Sequence, residues 1–268
     1  MTWLAAALLA LASGARAVTL SSATLSDPHQ LAGPVLASAA GAKPLTVFPE
    51  RLVYDVSWGV VSVGEATLDA VELVDFSSRP AYHIVSRAVS NHFCDAFYKV
   101  RDLNESWVDA RTLSSLGYQK NLHEGRFVRD EWVVYDTDKH EFLAKITGKE
   151  GNFDYKAGTV PVSVQDILSS MYYLRSRNLA EGNEIVLDVN TKQNWPLVIR
   201  VVKKEKVKTP AGDFDTILVE PALRQEGIFI QKGRKLQVWL TDDARKMPVQ
   251  MKVEVFFGHV TAKLMKVL

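Results

Sequence analysis

VWLTDDARKMPVQMKVEV, residues 238–255, holds two short runs in which apolar and polar side chains alternate. The second run places an apolar side chain at every other position from Met247 to Val255. A period of two is typical of a strand with one buried face. The segment between the runs, residues 241–246, is short enough for a hairpin turn. The stretch therefore predicts an antiparallel hairpin with one buried face.

Two adjacent carboxylates, Asp242 and Asp243, lie in the predicted turn. A catalytic pair needs its carboxylates to face each other across a substrate, often in a shielded pocket that shifts one pKa. An exposed turn does not desolvate them, and neighbours on a strand point to opposite faces. Aspartate is common in turns because its carboxylate accepts hydrogen bonds from nearby amides. We therefore expect both to be turn residues.

Similar alternating runs, separated by Gly, Pro, Asn and Asp, continue along the chain from Arg51 onwards. This pattern is typical of antiparallel strands. The predicted strands lie near residues 51–58, 62–75, 81–90, 97–108, 116–123, 127–136, 140–147, 184–191, 195–208, 213–220, 235–241, 247–257 and 259–267.

The segment at about residues 163–179 differs, because its apolar side chains recur at helical spacing. Ser163 precedes Asp166 by three residues in a loose capping-box arrangement, and Gly182 lies just past the end. The apolar stripe could contact a partner, but docking on the sheet of the same molecule is the preferred interpretation. We expect a mainly β fold: a curved antiparallel sheet or incompletely closed barrel with one packed α-helix.

The composition is that of an ordinary globular protein and excludes some partners. The chain has 268 residues, 47% of them hydrophobic and 24% charged, which suffices for a sizeable core. Lys and Arg number 32 against 31 Asp and Glu, giving a formal charge of +1. Without a basic excess, the electrostatic case for nucleic acid or an anionic membrane surface is weak. We therefore expect no nucleic-acid partner.

The N-terminus predicts export. Residues 1–17 contain an apolar run followed by small residues and an Ala-Arg-Ala cleavage pattern, although no Lys or Arg precedes the run. About ten apolar residues are too few to span the hydrocarbon core, roughly 30 Å thick. We expect a signal peptide cleaved after Ala17, a periplasmic or secreted location, and no transmembrane segment in the mature chain. Residues 18–46, rich in Ser, Ala, Gly and Pro, predict a flexible leader, and residues 47–268 a single β-rich domain.

No motif for catalysis, metal or cofactor binding stands out. Cys94 is the single cysteine, so disulfides and cysteine–zinc clusters are excluded. The six histidines lack metal-ligand spacing, and no nucleophile elbow or phosphate loop is present. A Ser-His-Asp triad can still assemble from distant positions. We expect no cofactor, no metal and no catalytic residues. His92, two residues before Cys94, could favour a thiolate on a strand, but buried packing is the commoner role of such a cysteine.

Charged and aromatic side chains occur within segments that otherwise have the pattern of sheet core. Arg101, Glu105 and Trp107 would share one face of a strand, and Arg126 lies beside a neighbouring one. Around a pocket, Arg can hold an anionic group and Trp an apolar one. With Trp239, these are our candidate ligand-binding residues. The more ordinary arrangement is a solvated face with cross-strand ion pairs.

Several segments resemble a known bacterial family. They are PERLVYDVSWGVVSVGEATLD at 49–69, VRDLNESWVD at 100–109, QDILSSMYYLR at 165–175, TPAGDFDTILVEP at 209–221 and GRKLQVWLTDDARKMPVQMK at 233–252. In this order they resemble the domain-of-unknown-function family numbered 3108, found in exported proteins of Gram-negative-type bacteria. The resemblance implies an envelope-associated, mainly β domain and supplies no catalytic residues. By analogy with periplasmic lipoprotein carriers, we expect a curved, incompletely closed barrel.

Three functional hypotheses follow. The leading one is a non-enzymatic periplasmic binding or envelope-maintenance protein that holds a lipid-like or polymeric ligand on the curved sheet. The second is a hydrolase of cell-envelope glycan or lipid, which requires two of Asp102, Glu105, Glu124 and His123 to converge in one cleft. The third is a module that pairs an exposed strand edge with a partner protein, whose identity stays unknown.

Overall fold

The computed structural model describes residues 27–35, 45, 47–223, 235–255 and 257–268. Within them lie three short helices: α1 (Pro28–Leu31), α2 (His92–Asp95) and α3 (Ile167–Arg175). The strands are β1 (Ala32–Val35), β2 (Glu50–Trp58), β3 (Val61–Phe76), β4 (Arg79–Ser90), β5 (Arg101–Asp109), β6 (Ser115–Glu124), β7 (Phe127–Asp136), β8 (Glu141–Gly148), β9 (Phe153–Thr159), β10 (Glu184–Asn190), β11 (Asn194–Thr209), β12 (Gly212–Leu223), β13 (Leu236–Thr241), β14 (Pro248–Glu254) and β15 (His259–Val267).

All fifteen of these strands belong to one sheet. Its order is β10-β11-β12-β13-β14-β15-β2-β3-β4-β5-β6-β7-β8-β9, and β1 pairs with the end of β3. Neighbours in the sheet are consecutive in the chain except where β1 pairs with β3 and where β15 pairs with β2, both antiparallel. That pairing places the C-terminal strand beside the first long strand and joins two meanders into one surface. The predicted mainly β antiparallel fold is confirmed.

The sheet curls until its end strands, β9 and β10, approach each other, but these two strands do not pair within the described residues. Gln165, which follows β9 in the chain, bridges to β10 through its backbone: its amide donates to the Asp188 carbonyl and its carbonyl accepts from the Asn190 amide, each at 2.8 Å. Side chains make further contacts across the gap. Asn194 Nδ2 donates to the Thr159 carbonyl at 2.8 Å, Tyr135 Oη donates to the Asn190 carbonyl at 2.8 Å, and Lys192 Nζ lies 2.9 Å from Glu131 Oε2. We call this gap the seam. The result is the incompletely closed barrel that the sequence predicts.

Helix α3 begins three to four residues later than predicted, because Asp166 and not Ser163 caps it. Asp166 Oδ1 accepts from the amides of Leu168 and Ser169, and the Ser169 hydroxyl accepts from the Asp166 amide. Residues before the cap run extended beside β10, where the Gln165 amide donates to the Asp188 carbonyl at 2.8 Å. The helix also ends at Arg175, short of the predicted residue 179.

The C-terminal end of α3 is fixed to β2 by a buried ion pair. Arg175 Nη1 and Nη2 donate to the two oxygens of Glu50 at 2.8 and 3.0 Å. Arg175 is 3% exposed and Glu50 is 2% exposed. Arg245 adds a third hydrogen bond to Glu50 at 3.2 Å. We call this contact the Glu50–Arg175 clamp. A two-point guanidinium–carboxylate contact fixes geometry as well as charge.

Part of the predicted leader is structured. Residues 27–35 form α1 and β1, which lie on the outer face of the sheet, where the Ser77 amide donates to the Leu31 carbonyl at 3.0 Å. Residues 18–26 and 36–44, and the predicted signal peptide, lie outside the described residues. No helix in the described part of the chain is long and apolar enough to span a membrane.

The predicted strands match the observed ones to within a few residues, with one larger shift. The strand expected from residue 97 begins at Arg101, because α2 and the turn after it occupy the preceding residues. Strand β9 was not predicted. The hairpin predicted for residues 238–255 is confirmed, since β13 pairs with β14. In its turn, Asp243 Oδ1 accepts from the amides of Arg245 and Lys246, each at 3.0 Å.

Candidate functional site

The inward face of β2–β5 forms a continuous lining. Because strand side chains alternate between faces, every second residue points into the barrel. From the interior towards one end of the sheet, the rows are Tyr54, Val56 and Trp58 on β2, Leu68, Ala66 and Gly64 on β3, Ser86, Ala88 and Ser90 on β4, and Asn104 and Asp102 on β5, continued by Val100. Successive parts of these rows line two cavities that share Ala88. We call the two together the channel.

The inner cavity, of about 200 Å³, lies between the sheet and α3. Helix residues Ile167, Leu168 and Met171 cover one side. The opposite wall comes from strands β13–β15, with Val238 and Val260 among its apolar side chains. Ser86, Asp102 and Asn104 are the polar side chains of the β4 and β5 rows here. The inner cavity is therefore apolar with one polar side.

The outer pocket is larger, at about 380 Å³, and its lining is almost wholly apolar. Its walls are formed by Val56, Val63, Ala88 and Val100, among others. Its rim carries aromatic side chains from α2 and the turn that follows. A volume of this size falls within the range of roughly 300–1,000 Å³ found for small-molecule sites.

Three exposed segments form the rim. Phe93 and Phe97 are 67% and 79% exposed and lie with ring centroids 5.6 Å apart. Val60, at the tip of the β2–β3 turn, is 99% exposed. The Trp58 indole donates to the Phe257 carbonyl at 2.7 Å, which ties this turn to the β14–β15 turn. Large apolar side chains gathered at one end of a barrel mark an interaction site more often than isolated ones do.

Gly64 allows β3 and β4 to approach closely in the outer pocket. A Cβ at this position would lie 2.2 Å from the Val89 carbonyl oxygen. Because that contact is with backbone, a larger residue here would force the strands apart.

Two buried carboxyl groups meet beside the inner cavity, which Asp102 lines. Asp102 is 4% exposed and Glu124 is fully buried, and their side chains lie within hydrogen-bonding distance of each other. The His123 amide donates a hydrogen bond to Asp102 Oδ1 at 3.0 Å. Burial raises the pKa of Asp102 above its usual value, although the His123 amide opposes the shift. Two adjacent carboxylates in an apolar site do not both ionise. We call these two residues the carboxyl pair.

Tyr98 connects the carboxyl pair to the outer pocket. It lines that pocket, and its side chain hydrogen-bonds to Glu124. Burial, with the nearby Glu124 and Asp102 charges, raises the pKa of the phenol to about 12. The phenol is therefore a hydrogen-bond donor at any physiological pH.

Further charges are buried beside the pair on β6 and β7. Lys120 is 3% exposed, and burial lowers the pKa of its ammonium to about 8, with Glu131 opposing the shift. Lys120 faces Glu131 across the strand pair. Glu131 also contacts Lys192 at 2.9 Å and Arg129 at 3.5 Å. We call these residues and the carboxyl pair the polar wall. In the described chain, no group of His, Cys, Asp and Glu side chains is arranged to hold a metal ion.

A family model described as "Protein of unknown function (DUF3108)" matches residues 53–265. The chain belongs to this family. The resemblance seen in the sequence is thus confirmed. No curated protein matches the chain. Among solved structures, it is similar to a β-barrel-like protein of domain of unknown function DUF1849 from Brucella abortus, at 14% identity and a TM-score of 0.54. The match covers 82% of this chain and 97% of the other, and at this identity it shows the fold alone.

The region matched by the DUF3108 model contains the whole channel lining, α3 and the polar wall. The predicted candidate residues lie elsewhere, since none of the five lines either cavity. Glu105 and Trp107 point to the outer face of β5, under α1. There Glu105 lies 3.0 Å from both His29 Nε2 and His83 Nε2, and Trp107 stacks on His83 with centroids 5.0 Å apart.

The other three candidates are scattered. Arg101 pairs with Asp95 at 2.5 Å and so fixes α2 to β5. Arg126 is exposed in the β6–β7 turn. The Trp239 indole donates to Glu205 Oε1 at 2.8 Å. Only Glu105 and Trp107 are brought together.

Of the acids considered for a hydrolase, the structure joins Asp102 and Glu124 but not the rest. Glu105 is on the opposite face of β5, and the His123 ring lies outside, 3.6 Å from Asp130. Cys94, expected to pack inside, is half-buried in α2 and lines the outer pocket.

The candidate residues predicted from β5 lie on the face opposite the channel, and the rim residues Phe93 and Phe97 are not among the candidates. A signal for the rim was present in the segment NHFCDAFY, residues 91–98. Two phenylalanines four residues apart, without strand alternation around them, are typical of a short helix presenting one apolar side.

Proposed function

We propose that this protein is an exported, non-enzymatic binding protein that holds the apolar chain of a lipid-like molecule in the channel. The observation that carries the proposal is the outer pocket: about 380 Å³ of almost wholly apolar space with an exposed aromatic rim, which shares Ala88 in its lining with the inner cavity. Apolar surface left open to water is costly, at about 25 cal/mol per Å². An acyl chain would remove that cost.

The shape of the channel supports a long ligand over a compact one. It follows the strand rows from Trp58 inwards to Tyr54, and α3 covers its inner part. Export is supported by the apolar N-terminal run and the Ala-Arg-Ala pattern before Val18. An exported carrier of this kind would serve the cell envelope, where lipids must cross water.

Binding is tested with the purified mature protein. Native mass spectrometry should detect co-purified lipid, and after delipidation the apolar dye N-phenylnaphthylamine should gain fluorescence that a long-chain alcohol reverses. Ala88→Trp fills the point that both cavities share and should lower dye affinity at least about tenfold, since it excludes the chain.

Val186→Trp is the matched control, because Val186 is 47% exposed on β10, away from the channel. It should bind dye as the unmodified protein does. Absence of both co-purified lipid and dye uptake would refute the proposal, as would equal binding by the two variants.

A second candidate is strand-edge pairing through β9. This strand pairs only with β8 among the described strands, and it carries Phe153 and Tyr155, which are 59% and 37% exposed. An unpaired edge with aromatic side chains is suited to adding a partner strand. Amide hydrogen exchange in β9 should then be fast and should slow when a periplasmic extract is added. Slow exchange without any partner would refute it.

A further inference from the structure

The rim is an exposed apolar surface to which the binding proposal gives no contact of its own. Val60, Phe93, Phe97 and Phe257 are each between 64% and 99% exposed. Phe93 and Phe97 also line the outer pocket, as does the partly exposed Trp58. The surface that meets solvent and the lining of the pocket therefore share side chains. Exposed apolar groups gathered in this way mark an interaction site.

The apolar side chains of the rim stand on separate turns that the fold holds in place. The hydrogen bond from the Trp58 indole to the Phe257 carbonyl joins the β2–β3 turn to the β14–β15 turn. Helix α2 is fixed to β5 by the ion pair between Asp95 and Arg101. Separate projecting tips suit insertion into a fluid layer, whereas the core of a protein interface is a closely packed patch. The shape of the rim therefore favours a lipid bilayer.

Charge favours a bilayer with anionic lipids. Lys99 and Arg126 are exposed beside the rim, and their segments are in contact, since the Gly125 amide donates to the Lys99 carbonyl at 2.7 Å. Asp95, which is paired with Arg101, is the single acid in the described stretches of the rim and the turn beside it, residues 58–61, 91–99, 125–127 and 257–259. The whole chain has a formal charge of +1, so this preference is local to the rim.

Glu65 is the one acid among the described residues that line the outer pocket. It lies four residues along β3 from Val61, which is about 13 Å at the rise of a strand. Apolar side chains at a membrane surface enter the boundary between headgroups and acyl chains to a depth of about 5–10 Å. Glu65 is therefore set back far enough not to oppose contact by the tips.

We infer that the rim docks on the surface of an anionic lipid bilayer, with Val60, Phe93 and Phe97 inserted among the headgroups and with Lys99 and Arg126 against lipid phosphates. This inference rests on the proposed function, because it names the bilayer as the source or destination of the chain that the channel holds. The apolar side chains contribute through the area that they remove from water, and the basic ones through attraction to anionic lipid. Docking in this way places the outer pocket against the lipid.

Flotation of the purified mature protein with phosphatidylcholine vesicles, with and without phosphatidylglycerol, tests the docking. Binding should be stronger to the anionic vesicles. Phe93→Ser/Phe97→Ser should weaken it about tenfold or more, since two aromatic side chains no longer leave water. Leu268→Ser changes an exposed residue just past the end of β15, at the opposite end of the barrel, and should leave binding unchanged. No binding to either kind of vesicle, or equal binding by the double variant, would overturn the inference.

Val60→Trp keeps the test decisive if the double serine variant does not fold, as judged by circular dichroism. The emission that the new indole adds should shift to shorter wavelength with anionic vesicles, and lipids brominated on the acyl chain should quench it. Val71→Trp is the matched control, because Val71 is also exposed on β3 but lies about 30 Å along the strand from the rim. Its emission should not change. Vesicles that shift neither variant, or both equally, would count against the docking.

The basic side chains are tested by Lys99→Gln/Arg126→Gln, which should lower the preference for anionic vesicles about tenfold at low ionic strength. Lys206→Gln/Lys208→Gln makes the same change in charge beside the β11–β12 turn, at the opposite end of the barrel, and should keep the preference. An equal loss in both variants would mean that the charge of the whole chain is responsible, and docking through the rim would be wrong.

Other occupants of the rim give different results. Self-association that depends on Phe93 and Phe97 without vesicle binding, measured by analytical ultracentrifugation, would assign the rim to a second copy of the chain and overturn the inference. Failure of the binding proposal is also distinct. Dye uptake without vesicle binding refutes the docking alone. Vesicle binding without dye uptake or co-purified lipid refutes the binding proposal and leaves the docking surface.

Discussion

The Glu50–Arg175 clamp and the Asp102–Glu124 carboxyl pair are equally buried but oppositely built. The clamp joins opposite charges through two hydrogen bonds at 2.8 and 3.0 Å. The pair joins like charges, and burial raises the pKa of Asp102. The clamp serves the fold, since it fixes α3 to β2. The pair weakens the fold wherever both groups would ionise. Natural sequences depart from local stability rules most often at functional sites.

The clamp should give the largest change in stability. Glu50→Gln leaves Arg175 charged and buried with a neutral partner, so we expect a loss of about 3–5 kcal/mol of unfolding free energy. Urea denaturation measures it. The double variant Glu50→Met/Arg175→Met removes both charges and should recover much of the loss. If E50Q costs less than about 1 kcal/mol, the clamp is not a structural contact and the comparison fails.

Lys120 lies on the same wall as the carboxyl pair. Its removal should stabilise the fold, whereas a change in the clamp should destabilise it. The pKa of its ammonium falls from 10.5 to about 8 in the fold. Between those values the unfolded chain binds more protons, so stability rises with pH across this window. Lys120→Met should lack that rise and should be more stable than the unmodified protein by about 3 kcal/mol near neutral pH. Thermal unfolding across alkaline pH tests this, and parallel curves for the two proteins would contradict it.

Asp102→Asn should give a smaller, pH-dependent gain. Because the folded pKa of Asp102 is raised above 3.8, the folded chain holds the proton longer. The contribution of Asp102 to the unfolding free energy is therefore largest at low pH, and it is lost as the pH rises through the folded pKa. The variant should match the unmodified protein in acid and exceed it near neutral pH, by about 1.4 kcal/mol per pKa unit. Urea unfolding at both pH values measures the difference. A constant gap would show that hydrogen bonding, not charge, is responsible.

An exposed pair gives the smallest effect and sharpens the comparison. Arg200 and Glu184 lie 2.9 Å apart, as close as the clamp, but their side chains are 61% and 44% exposed. Arg200→Met should change unfolding free energy by only about 0–1 kcal/mol, and by less in high salt. Urea denaturation at two salt concentrations measures this. A loss as large as that for E50Q would mean that burial does not distinguish the two contacts.

The fold was predictable from the sequence because period-two alternation is strong in the long strands. Residues 247–255 show it clearly, and so does the helical spacing within residues 163–179. The predicted start of α3 at residue 163 is wrong because buried contacts hold Asp166 at the N-cap. Its Oδ2 accepts from the hydroxyls of Ser106 and Ser115, each at 2.6 Å. Those partners are 51 and 60 residues away, so no local pattern indicates them.

The site was less predictable, for a physical reason visible in β5. Alternation assigns Arg101, Glu105 and Trp107 to one face and Asp102 and Asn104 to the other, but both faces carry charge. Periodicity separates two faces without saying which is inside. Here α1 covers the outer face with His29, so Glu105 and Trp107 are buried from outside. Only the position of α1 in the fold shows which face of β5 points outwards.

The seam is the place where the width of the barrel can change most easily. Elsewhere adjacent strands are joined by a backbone ladder. At the seam, the β10–β11 hairpin meets β7 and β9 through the side chains of Asn194, Tyr135 and Lys192, and Gln165 bonds to β10 through its backbone. Each such hydrogen bond contributes only about 0.5–1.5 kcal/mol, or somewhat more when charged. The seam has fewer backbone hydrogen bonds than any paired strand, so opening the barrel wall there costs less than separating two neighbouring strands. A molecule too wide for the channel would therefore be admitted more readily by widening at the seam than by separating a strand pair.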